Sequence, residues 1–213
     1  MSEVQKITPH QHTAHAKQTR SVEVAVIGGG IVGKACALGL AQLGLLTAEI
    51  APDLDQIVPN PHGGQWAQRI YAFSPSTQAL LAHLQVWDAI DHARLQVVRD
   101  MRIYGDRGEK NDHLHLSAFE AGTPQLAWIG ESNLIEHTLD QAARFQNKLE
   151  RISDHVEKME VDAEDVTLYL KSGGIIRTQL LIAADGANSP IRSELNINTA
   201  EENYAQSAVV ANF

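Results

Sequence analysis

The amino-acid sequence predicts an α/β fold in which a parallel sheet is interrupted by an inserted mixed sheet. Two observations predict the parallel sheet: a βαβ pattern with three glycines after its first strand, at residues 22–50, and a buried run much later, at residues 180–184. A third observation, the mixture of short helix and strand patterns between them, predicts the insertion. This order favours one interrupted domain over two domains in tandem.

The helices are predicted from apolar periodicity bounded by capping residues. Gly44 suits a helix C-terminus, and Ser74 followed by Pro75 suits an N-cap and the first helical position. The predicted helices cover residues 31–43, 76–84, 86–92 and 132–145, and another begins near Pro190.

The strands are predicted from short aliphatic and β-branched runs that are bounded by turn residues. Prolines and glycines predict a loop over residues 52–64, and polar turns are predicted at residues 105–112 and 172–174. The predicted strands cover residues 22–27, 45–50, 97–104, 113–116, 125–129, 156–161, 166–170 and 180–184.

Composition and charge limit the partners and the location of the protein. The chain has 213 residues, with 17 Lys and Arg against 26 Asp and Glu, and a formal net charge of −9. This acidic balance argues against a nucleic-acid partner, which needs a basic surface. Cys36 is the only cysteine, so there is no disulfide framework and a cytoplasmic location is expected.

Residues 1–20 form a polar leader without the apolar central run of a secretory signal. It contains three histidines, but a disordered arm is expected for so polar a terminal segment rather than a metal site. His113 and His115 share one face of a predicted strand and have no third ligand nearby. We therefore predict no metal site.

Gly28, Gly30 and Gly33 form a G-x-G-x-x-G pattern between a predicted strand and a predicted helix. Gly28 permits the tight turn, Gly30 lets the backbone approach a pyrophosphate, and Gly33 lets the helix pack against the strand. Free N–H groups at the helix N-terminus favour phosphates. A glycine-rich turn without a ligand is the alternative, but the correct flanking elements favour a Rossmann-like nucleotide site.

A second motif follows the last predicted strand, in the stretch LLIAADGANSPIR at residues 180–192. Asp185 and Gly186 stand at the carboxyl end of that strand, which faces the ligand crevice in α/β sheets. Asn188 or Ser189 can cap a helix whose first turn contains Pro190. Pairing with the glycine motif makes this otherwise common pattern much more specific.

The pairing of GGGIVG at residues 28–33 with AADGANSPIR at residues 183–192 resembles the flavin-dependent aromatic hydroxylases of the p-hydroxybenzoate hydroxylase type. Within that group the chain is most similar to the ubiquinone-biosynthesis hydroxylases. Supporting stretches occur in family order: RIYAFSPSTQALLAHLQVWDAI at residues 69–90, MRIYGD at residues 101–106 and LAWIGESNLIEHTL at residues 126–139.

The resemblance implies a cofactor, a reaction and a set of site residues. NAD(P)H reduces FAD in that family and O₂ then hydroxylates a phenolic ring, so no protein nucleophile is required. The implied substrate is a polyprenyl phenol intermediate of ubiquinone biosynthesis. Residues 21–195 correspond to the FAD/NAD(P)-binding domain, and residues 196–213 to the start of a substrate-domain sheet, with a strand near residues 207–213. The residues implied at FAD are Gly28, Gly30, Gly33, Arg69, Asp185 and Gly186.

Two positions depart from the family pattern. Ala51 stands where the family has the acidic residue that binds the ribose, and Ala67 stands where it has an aspartate two residues before the arginine. Glu49 or Asp53 could substitute at the ribose. Losing a charged hydrogen bond typically costs about 1.5–3 kcal/mol, so FAD is expected to bind weakly or not at all.

Further expectations concern the chain by itself. It ends before the family's later Gly-Asp motif, so it is expected to be inactive alone, and the edge of its incomplete sheet is expected to cause self-association. An insoluble phenolic substrate implies peripheral association with the inner face of the membrane. The alternatives are a non-catalytic homologue that acts as a binding or scaffold module, and a reductase without oxygen chemistry.

Overall fold

The computed structural model describes residues 19–54, 67, 69–105, 113–200, 202–207 and 209. The strands of these residues are β1 (Thr19–Ile27), β2 (Thr47–Ala51), β3 (Ile70–Phe73), β4 (Gln96–Val98), β5 (Asp100–Tyr104), β6 (His113–Ser117), β7 (Ala127–Glu131), β8 (Leu149–Ser153), β9 (Val156–Val161), β10 (Val166–Leu170) and β11 (Ile175–Ala183). The helices are α1 (Ile31–Gln42), α2 (Pro75–His83), α3 (Ser132–Ala143) and α4 (Pro190–Glu194), with two short 3-10 helices at Trp87–Ala89 and His92–Arg94.

The main sheet has six strands in the order β8-β2-β1-β11-β10-β9. The first four are parallel, and β10 pairs antiparallel with both β11 and β9. Near the centre, β1 is apolar on both faces, because Ala25 packs in one core cluster and Val26 packs in another with Ala37 of α1. Burial on both faces is typical of a parallel strand between covering layers, and the predicted α/β class is confirmed.

The predicted insertion lies between β2 and β8, but it contains two small antiparallel sheets, β3-β7-β4 and β5-β6, instead of the one mixed sheet that the sequence predicts. A separate apolar cluster joins three helices, through Leu38 of α1, Leu81 of α2 and Ile135 of α3. Trp87 and Trp128 pack edge to face in this cluster, with 5.1 Å between their ring centroids. The insertion is therefore anchored to the nucleotide-binding unit through α1.

The predicted strand at residues 97–104 is two strands, β4 and β5, which belong to different sheets. Val97 and Val98 of β4 are half-buried and pair with β7, whereas every residue of β5 is exposed. The break falls at Arg99, within one continuous run of strand-forming residues. Periodicity alone does not reveal such a break.

The sequence-based prediction omits β3 and β8. β8 has the sequence LERIS, in which Glu150 and Arg151 obscure the strand pattern. The Arg151 side chain nevertheless turns inward and pairs with the buried Glu49 of β2. Other boundaries also differ: the predicted helix at residues 86–92 is two 3-10 turns, β1 begins at Thr19 inside the predicted leader, and β11 begins at Ile175.

Several predictions concern residues outside the described part of the chain. These are the leader through residue 18, with its histidines, and most of the loop at residues 52–64. Of the strand predicted near residues 207–213, only Ser207 and Val209 are described, and neither lies in a strand. None of the described helices has the length and apolar character needed to cross a bilayer.

Candidate nucleotide-binding site

A cavity of about 750 Å³ lies at the carboxyl ends of four strands of the main sheet. Its walls come from the glycine turn after β1, the tip of β2, the turn after β8 and the turn after β11. The carboxyl edge of a parallel sheet is where α/β proteins bind ligands. The fold therefore brings the two sequence motifs to one site, although about 155 residues separate them along the chain.

Two glycines of the first motif are required by close packing of backbone against backbone. Gly28 has φ +131°, and a Cβ there would lie 2.1 Å from the carbonyl oxygen of Ala184. A Cβ on Gly33 would lie 1.9 Å from the carbonyl oxygen of Gly28. Only glycine fits at either position, so these residues set the shape of the turn and the approach of α1.

Gly30 has a different role, because a Cβ there would meet nothing within 4 Å. It is the N-cap residue of α1, has no side chain to occupy the first turn, and lines the cavity. The N–H groups of the first helical turn and the positive end of the helix dipole therefore meet open space. This is the arrangement that binds phosphate groups.

The second motif forms the part of the cavity wall next to the glycine turn. Asp185 Oδ2 accepts a hydrogen bond of 3.3 Å from the N–H of Ile191, and Ser189 is the N-cap of α4, accepting from the N–H of Arg192. Gly186 has φ +91° and open space where a Cβ would be. Asp185 and Gly186 both line the cavity.

Two predicted site residues lie outside the cavity wall. Gly33 lies behind the turn, where it packs against Gly28. The guanidinium of Arg69 lies over the ring of Tyr71, 5.3 Å from its centroid, and the Arg69 carbonyl accepts from the N–H of Ser132. The contact of Arg69 with a flavin stays a prediction.

A buried network of charged side chains lies behind the site, and sequence reasoning missed it. Lys34 of α1, which lines the cavity, pairs with Asp140 of α3 at 2.8 Å. Arg151 of β8 joins Asp140 at 2.6 Å to Glu49 of β2 at 2.8 Å. The four side chains alternate in charge, so each buried ion has an opposite partner.

Glu49 does not replace the missing ribose carboxylate. Its side chain is 1% exposed, pairs with Arg151 and lies outside the residues that line the cavity. Burial raises the pKa of Glu49, and the nearby Arg151 opposes that rise. The expectation for Glu49 is therefore wrong, because this residue belongs to the interior network. The alternative, Asp53, does line the cavity.

Two parts of the cavity wall differ in charge, and each suits a different part of a nucleotide. The α1 N-terminus offers N–H donors, whereas carboxylates elsewhere in the wall offer acceptors for sugar hydroxyls. Burial raises the pKa of one of these carboxylates, Glu136, and the nearby Lys34 opposes that rise. The residues present fit the phosphates and a ribose of FAD. The lining carboxylates are Asp53, Glu136, Asp154 and Asp185.

Comparison with known proteins identifies the family. The family described as FAD binding domain matches residues 21–212, which is most of the chain. The chain belongs to this family of FAD binding domains.

The similar curated proteins have names that refer to a demethoxyubiquinol hydroxylase or to ubiquinone biosynthesis. The 3-demethoxyubiquinol 3-hydroxylase of Escherichia coli (strain K12) is 33% identical, over 88% of this chain and 47% of its own length. The mitochondrial ubiquinone biosynthesis monooxygenase COQ6 of Homo sapiens is 30% identical, over 89% of this chain and 42% of its own length. The predicted resemblance is confirmed, and the chain spans less than half the length of these relatives.

Solved structures of monooxygenases share the fold. The p-nitrophenol 4-monooxygenase PnpA from Pseudomonas putida DLL-E4 has a TM-score of 0.63 and 24% identity, covering 82% of this chain and 44% of that chain. The flavin-dependent monooxygenase PieE, solved in complex with FAD and substrate, has a TM-score of 0.63 and 19% identity, covering 84% of this chain and 32% of that chain. These likenesses confirm the Rossmann-like FAD-binding fold.

Proposed function

We propose that this chain is the FAD-binding part of an FAD-dependent hydroxylase of ubiquinone biosynthesis. The whole protein would hydroxylate the aromatic ring of a polyprenyl phenol intermediate, using NAD(P)H and O₂. The names of the curated relatives support the substrate class. The observation that carries the proposal is the meeting of the glycine turn and the turn of Asp185 and Gly186 around one cavity.

The residues of the chain bind and orient the cofactor in this proposal. N–H groups at the start of α1 donate to the diphosphate, and Gly30 leaves room for its approach. Asp185, fixed by the N–H of Ile191, helps to form the cavity wall beside the glycine turn. Bound FAD supplies the redox and oxygen chemistry, so the described part of the chain needs no nucleophile for it.

The proposed location is cytoplasmic, with peripheral association at the inner face of the membrane. A polyprenyl phenol is insoluble in water and resides in lipid, so its hydroxylase works at a lipid surface. The cavity described here supplies the nucleotide end of a flavin site. We therefore propose that the 213-residue chain alone does not hydroxylate a phenol and that, with FAD and NAD(P)H, it releases only peroxide.

The test of the proposed function is a titration of the purified chain with FAD, followed by the flavin absorption spectrum and by flavin fluorescence. Saturable binding in the micromolar range is expected. Folded chain that shows no binding at about 100 µM FAD would contradict the proposal.

A second candidate function is a binding or scaffold module without catalysis. The observation that favours it is Ala51, which lines the cavity where related hydroxylases are expected to carry an acid. A folded chain without measurable affinity for FAD or ADP supports this module. Saturable FAD binding supports the flavoprotein instead.

A further inference from the structure

The tips of β2 and β8 are adjacent at the cavity. The two strands are parallel, and Ala51, the last residue of β2, is in register with Ser153, the last residue of β8. Asp154 follows directly, and its N–H donates a hydrogen bond of 3.1 Å to the carbonyl oxygen of Ala51. The backbone of Asp154 therefore lies beside that of position 51, which has no carboxylate of its own.

Asp154 lines the cavity, and its carboxylate is held in place by backbone donors. Oδ1 accepts a 2.7 Å hydrogen bond from the N–H of His155, and Oδ2 accepts a 3.3 Å hydrogen bond from the N–H of Ser172. A carboxylate has about four acceptor sites, so this one retains capacity for further donors. Burial acts to raise the pKa of Asp154, but hydrogen bonds from Ser172 and His155 lower it overall, so the group is ionised at neutral pH.

The other lining carboxylates are less suited to a sugar at the tip of β2. Asp185 lies on the far side, beside the glycine turn, and accepts from the N–H of Ile191. Glu136 lies on α3, and burial raises its pKa, which favours the neutral form of its carboxyl group. Asp53 lies beyond Pro52 with φ +64°, where the chain has left the strand. Asp154 alone among the four follows a strand that pairs with β2.

We propose that the Asp154 carboxylate accepts hydrogen bonds from the ribose hydroxyls of the adenosine half of FAD, in place of the acid that position 51 lacks. The inference rests on the proposed function, because it needs a nucleotide in this cavity. The acceptor for the ribose therefore lies at the tip of β8, the strand next to β2, and not at the tip of β2 itself. Its ionised oxygens suit two vicinal hydroxyls, which are both donors.

The test compares the binding of ADP and of 2′,3′-dideoxy-ADP to the 213-residue chain by titration calorimetry. Wild-type protein is expected to prefer ADP by about tenfold or more, because a charged acceptor loses its partners with the dideoxy sugar. Asp154→Asn is expected to remove most of that preference. The asparagine oxygen can still accept from the N–H of His155, so the turn is retained.

The matched control is Asp162→Asn, an exposed carboxylate outside the cavity lining that likewise accepts from two backbone N–H groups, and it should keep the preference for ADP. Thermal unfolding of each variant reports on folding. A wild-type chain that binds both nucleotides equally would overturn the inference without any variant, as would an Asp154→Asn protein that keeps the wild-type preference. If neither ADP nor FAD binds, the proposed function fails, and the inference fails with it.

Inosine diphosphate distinguishes the sugar from the base. Its ring has a carbonyl oxygen where adenine has an amino group, so it reports on a carboxylate that binds the base. We expect Asp154→Asn to leave the ratio of ADP to inosine diphosphate affinity unchanged. Asp154→Asn could instead equalise the affinities for ADP and inosine diphosphate and keep the preference for ADP over 2′,3′-dideoxy-ADP. That result would place Asp154 at the base and overturn the inference.

Discussion

Lys34 and Asp140 form a buried ion pair, with 2.8 Å between Nζ and Oδ2. The same carboxylate also accepts from Arg151, so one acid lies between two cations. We expect Asp140→Asn to lower the free energy of unfolding by about 3–5 kcal/mol, because it leaves the buried Lys34 without its carboxylate partner, although Arg151 keeps Glu49. Urea unfolding measures this change. Glu157→Gln, on the exposed face of β9, is the control and should change stability by less than about 0.5 kcal/mol. Equal stability of Asp140→Asn and the wild type would contradict the prediction.

Replacing either of two glycines of the turn with alanine is expected to have a different effect: one change lowers stability and the other lowers FAD affinity. A Cβ on Gly33 would lie 1.9 Å from a backbone oxygen, so Gly33→Ala should cost about 1–3 kcal/mol or more of stability. Gly30→Ala places its methyl group in open space, so stability should stay near the wild-type value while FAD binding weakens. Thermal unfolding and FAD titration separate these effects, with Gly174→Ala as a control away from the cavity. The prediction is wrong if Gly30→Ala binds FAD as the wild type does.

Restoring an acid at position 51 should tighten FAD binding. Ala51 lines the cavity, and a charged hydrogen bond to a sugar typically contributes about 1.5–3 kcal/mol. We expect Ala51→Glu to raise affinity by about tenfold in the Asp154→Asn background and by less in the wild type, where Asp154 already accepts. Calorimetry on the four proteins of this cycle gives the coupling. Sub-micromolar FAD binding by the wild type would show that the expected weak binding is wrong.

The single thiol should react slowly. Burial raises the pKa of Cys36, which is half-buried against the α1 side of the sheet. A raised pKa lowers the thiolate fraction at a given pH, and the thiolate is the nucleophile. At pH 8, iodoacetamide should therefore modify Cys36 more slowly than N-acetylcysteine, and the rate should increase as the pH is raised further. Mass spectrometry follows the reaction, and equal rates would contradict a packing role.

The β5-β6 sheet should cause self-association. Ile103 and Leu114 are cross-strand partners, and they are 51% and 57% exposed. Adjacent exposed apolar side chains on a two-stranded sheet favour contact with another surface. Sedimentation velocity should show oligomers that Leu114→Lys reduces. Phe145→Lys, at an exposed position after α3, is the control and should leave them unchanged. A wild-type chain that is monomeric at high concentration would rule out this surface.

The glycine turn and the Asp185 turn could be predicted because their signals are local. Each motif places a turn between a strand and a helix within about ten residues, and the φ of +131° at Gly28 is a local requirement of its turn. Ser74 is an N-cap, as its sequence context predicts, and of the two candidate caps Asn188 and Ser189 the structure has Ser189. Where the physical reason lies within a few residues, the sequence predicts both the element and its role.

The buried network and the candidate ribose acid could not be predicted, because they depend on which strands are neighbours. Lys34 and Asp140 are 106 residues apart, and Glu49 and Arg151 are 102 residues apart. Charged residues inside a short strand-forming run usually indicate an exposed edge, so the sequence does not predict β8. Its position beside β2 is therefore not predicted either. Without that pairing, nothing in the sequence connects Asp154 to Ala51.

Within the described part of the chain, the strand of the main sheet that comes last in sequence is also one of its inner strands. β11 lies between β1 and β10, and its tip carries the turn against which Gly28 packs. During translation, β1 and β2 therefore emerge long before β11, the second neighbour of β1. The nucleotide cavity cannot exist on the ribosome until about residue 186 has left the exit tunnel, and an unpaired edge of β1 stays exposed in the interval. Chaperone binding to the nascent chain would be concentrated in that interval.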